Sequence, residues 1–111
     1  MAFIQVTKTL ASTSKTALYT VPEGKEYVLM RERMRENGVA TPSVSFSVNS
    51  NSAFRTLSST NNTSHEIIVG PRHNDVYSAG TVIYAASTAA NAIAEIMGIE
   101  IDAGSWSLIT T

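Results

Sequence analysis

Apolar and polar residues alternate with a period of two in short runs along this chain. Turn residues punctuate the runs at fairly regular intervals, which predicts an antiparallel all-β domain. The clearest run is Ser43 to Val48, where Val44, Phe46 and Val48 form an apolar face and Ser43, Ser45 and Ser47 a hydroxyl face. Upstream, Ala17 to Val21 is a β-prone run stopped by Pro22-Glu23-Gly24, in which proline presets φ and glycine tolerates a positive φ. Lys25 to Glu36 follows. His65 to Val69 ends at Gly70-Pro71, Asp75 to Tyr77 runs into Ala79-Gly80, and Thr81 to Ala86 comes next. Phe3 to Leu10 and Ala53 to Leu57 are softer strand candidates, and the chain is expected to hold about eight strands.

Two segments carry mixed signals. As a helix, Arg31 to Glu36 would stack Arg31 over Arg35 and Glu32 over Glu36, like charges four residues apart. A strand is favoured, with Arg31, Arg33 and Arg35 on one face and Met30, Glu32, Met34 and Glu36 on the other. Ala85 to Met97 is rich enough in alanine to suggest a helix. Yet Ile93, Met97, Ile99 and Ile101 share a parity and Gly98 interrupts the run. A turn over Ser87 to Ala90 and a long strand from about Ala92 to Asp102 satisfy both signals. No repeat or linker is visible, so residues 1–111 read as one domain, with Ser58 to Ser64 a polar loop.

The 111 residues carry 8 Lys+Arg against 9 Asp+Glu, a balance that argues against nucleic-acid or membrane-surface binding, which needs many cations on one face. Charged residues make up 15%, while Ser and Thr number 27 and Asn 7. The surface is therefore built from hydroxyls and amides, which desolvate at lower cost than charges when a neighbour packs against them. The absence of cysteine removes disulfides, thiolate metal sites and a cysteine nucleophile. The N-terminus does not read as a secretory signal. Asn91, Glu95 and Glu100 interrupt the most apolar stretch, which is too short for a membrane helix.

Catalytic chemistry finds little support. The only histidines are His65, expected to face solvent at the start of a strand, and His73, in the polar turn Arg72-His73-Asn74-Asp75. No nucleophile elbow, zinc motif or phosphate loop is present, so no catalytic residue, metal ligand or cofactor is expected. A triad or metal pair built from the histidines with Asp75 is the enzymatic alternative. Asn61-Asn62-Thr63-Ser64 holds overlapping N-glycosylation patterns, which matter only in a eukaryotic secretory pathway. The row Arg31, Arg33 and Arg35 is either a solvated face partly neutralised by Glu32 and Glu36, or a contact for a partner's carboxylates. Phe3, Ile4 and Trp106 either cap the domain's own core or form anchoring contacts.

The segment Ala17-Leu18-Tyr19-Thr20-Val21-Pro22-Glu23-Gly24-Lys25 resembles the "LYTVPxGK" opening of small β-sandwich proteins from tailed-phage virions. Asn74 to Ile83 resembles the same group's hydrophobic-x-Ala-Gly-Asp-hydrophobic turn, with Thr81 in place of the Asp. Met97-Gly98-Ile99-Glu100-Ile101 resembles its closing "xGxEi" strand. The match runs from about Thr16 to Asp102, and the charged 31–36 run departs from it. The resemblance implies a single-domain antiparallel β-sandwich of jelly-roll character and a virion component without an active site. At this length a capsid decoration (cement) protein is expected, one that binds the outer capsid surface and clamps adjacent capsomers. Its implied partners are the major capsid protein and further copies of itself, as a trimer or dimer. Terminal segments of about 1–14 and 103–111 are expected to reach neighbours. The alternative is a tail-fibre or receptor-binding module whose Trp106, Tyr77 or Tyr84 stacks on a host glycan.

Overall fold

A computed structural model describes residues 1–35, 42–58, 65–69 and 76–105, with 58 and 65–69 described through their backbone. Among the described residues nine strand segments are formed: β1 (Ala2–Leu10), β2 (Thr16–Thr20), β3 (Lys25–Arg35), β4 (Ser43–Val48), β5 (Arg55–Ser58), β6 (His65–Val69), β7 (Val76–Ser78), β8 (Val82–Ser87) and β9 (Ala92–Asp102). All pairings are antiparallel. One sheet runs β1-β9-β3-β6, with β7 also paired to β3, and the other runs β2-β8-β4-β5.

β6 pairs with residues 31–35 of β3 and β7 with residues 26–28, so these two short strands share one edge of β3. Nine segments thus fill eight strand positions. The chain crosses repeatedly between the two sheets, with β1, β3, β6/β7 and β9 in one and β2, β4, β5 and β8 in the other. This is the double Greek-key order of a jelly roll, and the expected all-β sandwich is what the chain forms.

Short-range chemistry sets the corners. Lys25 N–H donates to the Pro22 carbonyl at 3.2 Å across Glu23-Gly24, with Gly24 at φ 78°. That positive φ at the third turn position is the type II geometry, which admits glycine at no steric cost. After β4, Asn49 adopts φ 51° and its Oδ1 accepts the Val82 N–H at 3.0 Å, so an asparagine side chain closes the connection against β8. The alanine-rich stretch resolves as expected: β8 ends at Ser87, a turn follows with Asn91 at φ 70°, and β9 begins at Ala92.

Between the sheets lie Leu10, Leu18, Val21, Tyr27, Leu29, Met34, Val44, Phe46, Leu57, Ile83, Ala85, Ala92, Ala94 and Ile96, all buried. On β4 the expected apolar face holds, with Val44 and Phe46 in the core and Val48 packed against it. On β9 the even-numbered Ala92, Ala94 and Ile96 enter the core, whereas Ile93, Met97 and Ile99 are only partly covered on the opposite face. The bulkier parity therefore faces outward.

β3 departs from strict alternation. Its register with β9 shifts between Leu29 and Arg31, so a bulge inserts one residue and resets which side chains face the core. Tyr27 and Leu29 face inward before it, Met34 after it. Met30, expected on the Glu32 and Met34 face, instead lines a surface groove with Phe3, Arg31 and Met97.

Candidate contact surface

Residues directly opposite in an antiparallel pair share a face, so the ladder positions define rows across the outer side of the five-stranded sheet. Arg31 lies opposite Met97, which lies opposite Gln5. Arg33, Glu95 and Thr7 form the next row, and Arg35, Ile93 and Thr9 the one after. The three arginines do stand on one outward face, as the strand reading expects, and they are joined there by β9 residues that the sequence reading left unassigned.

Glu95 is the polar centre of this surface. It is 7% exposed, and its Oε2 accepts from Thr7 Oγ1 at 2.7 Å and Gln5 Nε2 at 3.1 Å. Its Oε1 lies 3.6 Å from Arg33 Nη1. The carboxylate stands as the counter-charge of Arg33, with Arg31 and Arg35 in the neighbouring rows of the same face. Arg31 Nη1 rests 3.7 Å from Met97 Sδ, so its guanidinium covers the thioether while Phe3 and Met30 complete an apolar groove. The signal for Glu95 was its position as a carboxylate on the apolar parity of β9, which required a cation from another strand.

Glu32 corrects the expected neutralisation of the arginine row. It lies in the interior, 2% exposed, with Oε1 3.1 Å from Nε of Arg55 on β5. It therefore joins one sheet to the other rather than facing Arg31, Arg33 and Arg35. Glu36 lies outside the described residues.

The other candidates separate. Phe3 is 64% exposed on the outer face. Ile4, one residue on, packs against the core and its carbonyl accepts the Tyr27 hydroxyl at 3.1 Å. Residues 2–10, expected to reach toward neighbours, form the edge strand β1. Trp106, His73 and Asp75 lie outside the described residues, as does the glycosylation pattern at 61–64, and of His65 only the backbone is described. Tyr77 is half-buried with its ring 6.2 Å from Phe54, and Tyr84 has Lys15 Nζ 5.1 Å from its ring centre.

At the far end of the sandwich the Tyr19 hydroxyl hydrogen-bonds Glu100, and its ring centre lies 4.8 Å from that of Tyr27. Burial, then the Glu100 carboxylate, raises the Tyr19 phenol well above its ordinary value. Tyr27 is raised chiefly by burial and then by Tyr19 and Glu32. Lys25 and Asp102 form an exposed ion pair at 2.8 Å, which raises the amine and lowers the carboxyl. Among the described residues no group of three or more His, Asp or Glu side chains is placed to hold a metal, and no helix is long and apolar enough to cross a membrane.

No family model matches the chain, and no curated protein matches it. Among solved structures it is similar to a chain of the acidic stable capsid of Helicobacter pylori bacteriophage KHP30. The TM-score is 0.59 and the identity 16%, and the match covers 92% of this chain and 94% of that one. The two chains are therefore nearly equal in length, and what they share over almost their whole extent is the fold.

Proposed function

We propose that this protein is a structural component of a phage virion, a capsid decoration protein that binds the outer surface of the shell and has no catalytic role. The observation that carries the reading is the fold shared from end to end with a chain of a phage capsid. The match covers nearly all of both chains, so the likeness is to that chain's whole fold and not to a fragment of it. The surface chemistry agrees: a sparse charge pattern with Arg31, Arg33 and Arg35 on one outward sheet face, beside the groove of Phe3, Met30 and Met97.

The partner of this face is the major capsid protein, and the complementary chemistry is a carboxylate-bearing surface with an apolar side chain to enter the groove. Binding the assembled shell in preference to separated subunits stabilises the assembly by mass action. Repetition over a symmetric lattice then multiplies weak contacts into a strong hold. Decisive evidence would come from imaging purified particles with the chain labelled. Density repeated over the capsid lattice supports the reading, and a few copies confined to the tail rejects it. On such particles the triple reversal R31E/R33E/R35E is expected to lower occupancy several-fold, read as band intensity against the shell protein. Unchanged occupancy would remove the arginine row from the contact.

A further inference from the structure

Among the described residues β1 is a nine-residue edge strand, paired to β9 on one side and to no other described strand on the other, in continuous register from Ala2 opposite Glu100 to Leu10 opposite Ala92. Edge strands of this length invite pairing with another chain, and proteins blunt them with prolines, bulges, short lengths or charged side chains, inward-pointing ones included. β1 carries no proline and no bulge. Its one charge, Lys8, is turned onto the chain's own second sheet, where Nζ donates to the Ala17 carbonyl at 2.7 Å. Apart from Ile4, Val6 and Leu10, its residues are exposed.

The direction of its backbone groups follows from two hydrogen bonds. The Ile4 carbonyl accepts from Tyr27, which reaches across β9, and the Leu10 carbonyl accepts the Asn91 N–H just before β9. Successive residues of an antiparallel strand turn their N–H and C=O to opposite sides. The even-numbered residues thus address β9, and Phe3, Gln5, Thr7 and Thr9 turn their backbone groups to the open edge.

We propose that this edge is a self-association surface on which β1 of a second copy adds antiparallel about a two-fold axis at Val6. Only that register pairs the whole strand with itself. It brings the open-edge residues together as hydrogen-bonded pairs, Phe3 with Thr9 and Gln5 with Thr7, each twice. On the outer face the exposed Phe3 ring gains the methyl of a β-branched threonine, a favourable cross-strand pair. On the inner face Val6 meets Val6 and Lys8 meets Ile4, so no like charges oppose one another. A two-fold contact of this kind is isologous and closes at two copies. The proposal stands independently of the capsid reading, since it is tested on the isolated protein.

The test is sedimentation equilibrium of the purified chain through the micromolar range, with far-UV circular dichroism to confirm that each variant is folded. The wild type is expected at twice 11.9 kDa. F3K/T9K sets lysine opposite lysine and should sediment at the single-chain mass, whereas F3K/T9E sets lysine opposite glutamate and should recover the double mass. Residues 3 and 9 lie about 20 Å apart along one extended strand, so this rescue can arise only between copies. The chain has no cysteine, which makes Val6→Cys a clean register probe. It should form a covalent dimer under mild oxidation, and Ile4→Cys should not. A monomeric or trimeric wild type, a dimer indifferent to F3K/T9K, or cross-linking by Ile4→Cys and not Val6→Cys overturns the proposal.

Discussion

Among the described glycines the closely packed one is Gly98, in β9. A Cβ built there would stand 2.2 Å from the Val28 carbonyl oxygen, 2.7 Å from Tyr27 Cζ and 2.9 Å from Tyr27 Oη. The first of these is about 1.2 Å short of ordinary contact and involves backbone, which a side-chain rotation cannot relieve. The tyrosine ring lies over the glycine because its hydroxyl reaches across β9 to the Ile4 carbonyl on β1, and only a residue without a side chain leaves room for that crossing. Gly98→Ala therefore forces β3 and β9 apart beside the Leu29/Arg31 bulge. Overpacking a well-packed interior costs about 1–3 kcal/mol and occasionally more. With backbone as the obstacle we expect about 3 kcal/mol, less the ~0.4–1 kcal/mol that alanine gains by restricting the unfolded chain. The assay is urea unfolding at neutral pH, where the midpoint should fall while the slope stays unchanged. Gly24→Ala is the reference: its φ of 78° strains alanine but nothing lies within 4 Å, so about 1 kcal/mol is expected. A Tyr27→Leu background separates the two obstacles, since most of the Gly98→Ala cost should persist there if the carbonyl is the barrier. A loss below about 1 kcal/mol for Gly98→Ala, with the slope unchanged, would refute the steric argument.

Two further outcomes follow from buried polar groups. Arg55→Met takes from Glu32 its inter-sheet cation and should cost about 3–5 kcal/mol, while E32L/R55L should cost less than that single change, as measured by a denaturation cycle. A double variant no better than the single would show that the pair itself supplies the stability. The phenols of Tyr19 and Tyr27 are raised in the folded chain above the model-peptide value of 10.0. Their neutral burial contributes in full below pH 10, and that contribution is lost as the pH rises further and the unfolded chain ionises first. Thermal midpoints should fall above that pH, and tyrosinate absorbance from these two residues should appear only with unfolding. Early titration of both phenols in the folded protein would contradict this.

The proposed decoration role would require a surface that exchanges water for a neighbour at small desolvation cost, and the feature it would use is the arginine row beside the groove of Phe3, Met30, Arg31 and Met97. The open edge of β1 adjoins the same face through Phe3, so self-pairing and shell binding would adjoin each other.

Much of the architecture was legible before any coordinates, because a strand with one buried face writes its period into the sequence. Alternation at Val44, Phe46 and Val48, the Pro22-Glu23-Gly24 turn and the shared parity of the arginines are local properties, fixed by φ/ψ preference and side-chain direction. A two-residue period does not say which parity meets the core. On β9 the larger Ile93, Met97 and Ile99 stand outside while Ala92 and Ala94 lie within. One bulge in β3 moved Met30 to the groove, and burial across the sheets gave Glu32 to Arg55 and left Arg33 to Glu95. The sequence by itself determined the strands, their turns and the sandwich class. Only the tertiary structure decided which faces are buried and which charges meet, because those depend on strands distant along the chain, whose register a single inserted residue can reverse.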